Sequence, residues 1–163
     1  THCISSAASD VYKRQVQDKI STDVVKKVSD AMVNQGLKDV GYNYLIIDDL
    51  WHAKNRHSDG RPQEDPAKFP IGMKATVDYA HSKGLKFGIY SDAANNTCAG
   101  AFGSYGKEVI DAKQYAAWGV DLLKYDYCHA PSDAASAQVR YKAMGDALKQ
   151  SGRDILLLSL IHI

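Results

Sequence analysis

Apolar residues recur along this chain in two alternating periods. From Ile20 to Gln35 they fall at helical spacing, with Val24, Val28, Ala31 and Met32 as the stripe, Ser21 or Thr22 to cap the start and Gly36 to end it. Tyr42 to Ile47 is a short apolar run that reads as a buried strand and stops at Asp48-Asp49. The alternation then repeats. Pro70 opens a helix carried by Met73, Val77 and Ala80 to Gly84, and Leu85 to Tyr90 forms a strand followed by Ser91-Asp92. Lys107 to Trp118 is a third helix, and Val120 to Tyr125 a third strand followed by Asp126. Pro131-Ser132 opens a fourth helix with Ala137, Tyr141, Met144 and Leu148 on one face, Gly152 ends it, and Ile155 to Leu157 begins a fourth strand. Asn55 to Pro70 and Ala93 to Gly106 are polar and read as long loops.

Strands alternating with helices predict an α/β fold with a parallel sheet. Polar residues gather just after the strands, where active sites lie both in closed (β/α)8 barrels and in open doubly wound sheets. Periodicity does not choose between these. No glycine-rich phosphate loop follows any strand, which disfavours a nucleotide-binding version.

Composition narrows the partners. The chain has 163 residues, 45% hydrophobic and 24% charged, with a net charge of +1. Mixed charges of near-zero sum give no footprint for nucleic acid or a membrane surface, and no apolar run reaches the roughly 18 residues of a membrane span. No signal peptide is visible. The cysteines are Cys3, Cys98 and Cys128.

The two ends read as foreign. One back-translation of Asp10 to Gln15 is the reverse complement of a DNA encoding Leu158 to Ile163, and it resembles the end sequence of transposase-based library adapters. Residues 1–15 and 158–163 are therefore expected to be adapter-derived, with 16–157 a fragment of one catalytic domain.

Three strands end in carboxylates: Asp48-Asp49, Asp92 and Asp126. Aspartate is poor in strand interiors, and at strand ends it either caps the next turn or serves a site. Lys124 and Asp126, two apart, point to one side of their strand, with Tyr125 and Tyr127 on the other. A buried lysine needs a partner; Asp126 or a sugar hydroxyl can supply it. A lysine beside a carboxylate favours the ionised form that a nucleophile needs, although a plain structural ion pair has the same spacing.

In order along the chain stand Y-N-Y-L-I-I-D-D-L-W, D-G-R-P-Q-E-D-P-A-K-F-P, H-S-K-G-L-K-F-G-I-Y-S-D, N-N-T-C-A-G-A-F-G-S and A-A-W-G-V-D-L-L-K-Y-D-Y-C. Together they resemble the α-galactosidases (melibiases) of family 27 of the glycoside hydrolases, over almost all of Val16 to Leu157. The resemblance implies part of a (β/α)8 TIM barrel, about half of the catalytic barrel. It implies retaining hydrolysis of terminal α-galactosides through a covalent glycosyl-enzyme intermediate, with no cofactor. It makes Asp126 the nucleophile, Lys124, Asp48 and Asp49 sugar-binding residues, Tyr90 a pocket residue, and Cys98–Cys128 a disulfide beside the sugar. That bond in turn implies a periplasmic or secreted protein. Trp51, beside Asp49, is assigned to the same pocket, though a buried tryptophan equally suits a core. The chemistry fits these types: carboxylates and lysines read hydroxyls, and aromatic rings meet the apolar faces of sugars.

Leu50 stands where many members of that family carry a cysteine. The family's acid/base aspartate has no counterpart here, so the 163-residue chain by itself is expected to be inactive. Within the family, an α-N-acetylgalactosaminidase or a β-L-arabinopyranosidase is the alternative; outside it, a non-catalytic carbohydrate-binding relative. His52, His57 and Asp49 lack the spacing of a metal site, so none is expected. Phe87 and Trp118 read as packing residues.

Overall fold

A computed structural model describes residues 19–160 of the chain. Cys3, the expected foreign segment 1–15 and residues 161–163 lie outside the described residues. Helix α1 (Thr22–Asn34) and a 3-10 turn (Lys38–Val40) precede strand β1 (Tyr44–Ile46), then α2 (Met73–Ser82), β2 (Lys86–Asp92), α3 (Glu108–Trp118), β3 (Leu122–Asp126), α4 (Ala134–Lys149) and β4 (Leu156–Ser159). The strands form one parallel sheet in chain order, β1-β2-β3-β4. The βαβ alternation read from the sequence is therefore what forms.

The pleat sends alternate side chains to opposite faces. Leu45, Ile47, Phe87, Ile89, Leu123 and Tyr125 face the helices and join Val25, Met73, Val77, Tyr115, Trp118 and Met144 in a single core. The other face carries the rows Ile46–Gly88–Leu122–Leu156 and Tyr90–Lys124–Leu158 in register. Among the described residues no helix covers this face, and Ile46, Leu156 and Leu158 remain 39%, 56% and 40% exposed. Gly88 sits in that row because a Cβ there would come within 2.8 Å of the Ile46 side chain.

Several boundaries differ from the sequence reading. In α1 the buried positions are Thr22, Val25 and Ser29, with Val28 and Met32 packed alongside, while Val24 and Ala31 are only half-buried. The adjacent pair Val24-Val25 makes two stripes compatible with the same spacing. Ser21 is the cap: its hydroxyl accepts from the Val24 amide. Pro70 does not open α2; it lies in a turn ahead of the N-cap Gly72, whose φ of 82° no helix allows. The helix starts at Met73, whose amide donates to Glu64 Oε1 at 2.9 Å. Helix α4 likewise starts after Asp133, which accepts from the Ser136 amide, and not at Pro131-Ser132. Strand β2 runs on to Asp92, so Ser91 and Asp92 belong to the sheet. Strand β4 continues through Leu158 and Ser159, inside the tail set aside as foreign, because ladder pairing with Lys124 and Tyr125 is a property of the backbone.

Candidate active site

The C-terminal ends of β1, β2 and β3 bring Asp48, Tyr90, Asp92, Lys124 and Asp126 together, with Tyr90 beside Lys124 and Asp92 beside Asp126 in the register. Lys124 and Asp126 share a face, as the period of two requires. The lysine's ion-pair partner, however, is Asp48: Nζ donates to Asp48 Oδ2 at 2.6 Å, passing over the Tyr90 ring at 5.2 Å. The pair spans the sheet, since Asp48 follows β1 and Lys124 lies on β3, with Tyr90 of β2 beneath the lysine's ammonium between them.

Asp126 is held at both oxygens. The Tyr127 amide donates to Oδ1 at 2.9 Å and the Tyr90 hydroxyl to Oδ2 at 3.2 Å. The same hydroxyl lies 3.1 Å from the sulfur of Cys98. Burial, then the negative charges of Asp126, Asp49 and Asp92, push the Tyr90 phenol far above its ordinary range, so it remains a donor.

Asp48 and Asp49 form a backbone-braced pair. Asp48 Oδ1 accepts from the Asp49 amide at 2.9 Å, and Asp49 Oδ1 from the Leu50 amide at 2.7 Å. Asp49 Oδ2 accepts from the Ala99 amide at 2.9 Å, which ties the loop after β2 to the end of β1. Leu50 adopts a left-handed backbone with φ 71°, and its carbonyl accepts from Lys68 Nζ at 2.6 Å. Cys98 and Cys128 are disulfide-bonded, with Cα atoms 5.1 Å apart, and join the loops after β2 and β3.

Trp51 corrects the sequence reading. It is fully buried, its indole N–H donates to the Tyr90 carbonyl at 2.9 Å, and its ring packs edge-on to Trp118 and Phe102. It supports β2 from behind and offers no surface to a ligand. His52 stacks on Trp51 at 3.8 Å with neither ring nitrogen hydrogen-bonded among the described residues, and Asp49 Oδ1 lies 3.8 Å from its Nδ1. Burial, and then the charges of Arg56 and Lys68, lower its pKa to about 3, so it is neutral. His57 is exposed. Among the described residues, the donors of Asp92, Cys98, Asp126 and Cys128 lie within 4.8 Å of one another, but both sulfurs are committed to the disulfide.

Two supports, Asp92 and Arg56, lie outside the residues assigned to the site from the sequence. Asp92 has no exposed surface, and its carboxylate accepts from the Ala94 amide at 2.9 Å and the Cys128 amide at 2.8 Å. Burial raises its pKa to about 6; those two amides oppose the rise, and the Asp126 and Asp49 charges add to it. Arg56, from the loop after β1, donates to Asp111 of α3 at 2.5 and 2.8 Å and to the carbonyls of Gly60 and Gly103. Gly103 lies so close to Ala94 that a Cβ would fall 2.1 Å from its carbonyl oxygen. The strand-end position of Asp92 was a signal for the first; nothing in the spacing of Arg56 and Asp111 announces the second.

The family model described as Alpha galactosidase A matches residues 7–160, a range that includes parts of both tails read as foreign. The chain belongs to the α-galactosidase A (melibiase) family. It is 50% identical to human α-galactosidase A over 137 residues and 50% identical to the α-galactosidase of Cyamopsis tetragonoloba over 137 residues. These matches cover 84% and 83% of this chain but 32% and 33% of the relatives, so the chain spans about a third of the length of the curated relatives it matches. A solved structure of α-galactosidase from Saccharomyces cerevisiae with raffinose superposes with a TM-score of 0.85 at 38% identity, covering 90% of this chain and 33% of that one. The four-stranded sheet is thus part of the family's (β/α)8 barrel.

Proposed function

We propose that the whole protein is a retaining exo-glycosidase acting on terminal α-galactosides, with Asp126 as its nucleophile. The observation that carries this reading is the setting of Asp126. It ends a strand, its carboxylate is oriented by an amide and a phenol, and it shares one face with the Lys124–Asp48 pair. Asp48, Asp49 and Lys124 supply acceptors and a donor for sugar hydroxyls. In the first step an Asp126 oxygen bonds to the anomeric carbon as the bond to the leaving oxygen breaks, and a second carboxylic acid about 5–5.5 Å away protonates that oxygen. In the second step water attacks the anomeric carbon, giving its proton to the same group and freeing Asp126. The α-galactosidase relatives and the raffinose-bound structure support the substrate class. The Cys98–Cys128 bond suits an oxidising compartment and supports a secreted or periplasmic protein. Among the described residues no helix is long and apolar enough to cross a membrane. A fluorinated galactosyl inhibitor should label the peptide containing Asp126 in the full-length enzyme; labelling of a different carboxylate refutes the assignment.

A further inference from the structure

Asp92 ends β2 on the face that carries Tyr90, Lys124 and Asp126, and it is the most buried carboxylate of that cluster. Its side chain has no exposed surface and spends both oxygens on backbone amides of two different loops. Its carbonyl accepts from the Ser104 amide at 2.8 Å, and the next amide, Ala93, donates to the Asp126 carbonyl at 2.9 Å. Asp92 therefore joins the two ends of the loop after β2 to the turn after β3. That turn carries the Tyr127 amide that holds Asp126 Oδ1, and it reverses at His129, whose φ is 56°. A continuous path runs from the Asp92 carboxylate through the Cys128 amide and the turn to the Tyr127 amide and the reacting carboxylate.

We infer that Asp92 is a positioning residue for the nucleophile: by fixing the Cys128 amide it sets the turn that aims Asp126 at the anomeric carbon. This rests on Asp126 being the nucleophile. A buried anion is costly, and a plain capping role would be met by a serine or an asparagine. Charge-assisted bonds to amides are shorter and stronger than neutral ones, which suits a group that must hold a turn still. The charged or titratable groups around Asp92 are the Asp126 and Asp49 carboxylates, the Tyr90, Tyr125 and Tyr141 phenols, and the Arg140 guanidinium of α4, which donates to the Ala93 carbonyl at 2.6 Å. The hydrogen bonds to its carboxylate come from the Ala94 and Cys128 amides, while the Arg140 guanidinium is engaged by the neighbouring Ala93 carbonyl.

The test uses the full-length enzyme and the fluorinated galactosyl inhibitor. In Asp92→Asn one amide N–H must face an amide NH2 in place of an oxygen, and the turn shifts. A displacement of about 1 Å at a reacting group costs on the order of 100-fold in rate. The maximal labelling rate should therefore fall by about 10- to 100-fold while the inhibitor's Ki stays within about threefold, because Asp48, Asp49 and Lys124 bind the sugar independently of this turn. A labelling rate equal to wild type overturns the inference, as does a Ki that rises in step with the rate loss. Should Asp92→Asn not fold, wild type decides: the amide proton shift of Cys128 reports Asp92 protonation between pH 7.5 and 5, and the maximal labelling rate should fall along that titration. A rate indifferent to it overturns the inference. If wild type is not labelled at Asp126 at all, it is the functional reading that has failed.

Discussion

Replacing Arg56 with methionine should destabilise the full-length protein by about 3–5 kcal/mol, because it strands a buried anion. The Asp111 side chain has no exposed surface and that of Arg56 is 15% exposed. Methionine keeps the apolar stem and its contact with Phe102, whose ring lies 4.6 Å from the guanidinium carbon, but removes both bonds to Asp111 and those to the Gly60 and Gly103 carbonyls. Burial already raises the Asp111 pKa, against the pull of the Arg56 bond and charge. Without Arg56 it rises further, so the native state binds a proton more tightly than the unfolded chain. A raised carboxyl destabilises as pH climbs from the ordinary carboxylate range through the native value. The deficit should therefore be smallest near pH 4 and full near pH 7. Thermal or urea unfolding followed by near-ultraviolet circular dichroism measures it, and Arg56→Met/Asp111→Asn should recover more than half of the loss by removing the unpaired charge. A deficit under about 1 kcal/mol at pH 7, or one that does not shrink in acid, would falsify the claim that this pair clamps the loops around the site.

Lys124→Met should lower kcat/KM for an aryl α-galactoside by about 10- to 100-fold with the fold intact, since it removes a charged donor whose bond contributes roughly 1.5–3 kcal/mol; unchanged kinetics would make its pair with Asp48 purely structural. The 163-residue chain expressed alone should show neither a cooperative melt nor turnover of an unactivated α-galactoside. Among the described residues its sheet ends at β1 and β4 without closing, and Ile46, Leu156 and Leu158 stay exposed on a face that a complete barrel buries. A sharp transition with turnover contradicts this.

The sequence by itself determined the alternation of strands and helices, the carboxylates at the strand ends and the shared face of Lys124 and Asp126. Each follows from local periodicity, which a strand's pleat and a helix's turn impose without reference to the rest of the chain. The long motifs identified the family. Tertiary structure decided the partners. Lys124 pairs with Asp48 from a strand two places away, and Trp51 turns into the core to bond the Tyr90 carbonyl. Asp92 links two loops, and Arg56 meets Asp111 on a helix 55 residues further on. These contacts join residues far apart in the chain, and only the register of the parallel sheet and the course of the loops bring them within reach. Spacing along one strand indicates which way a side chain points; what it meets there depends on the neighbouring strands.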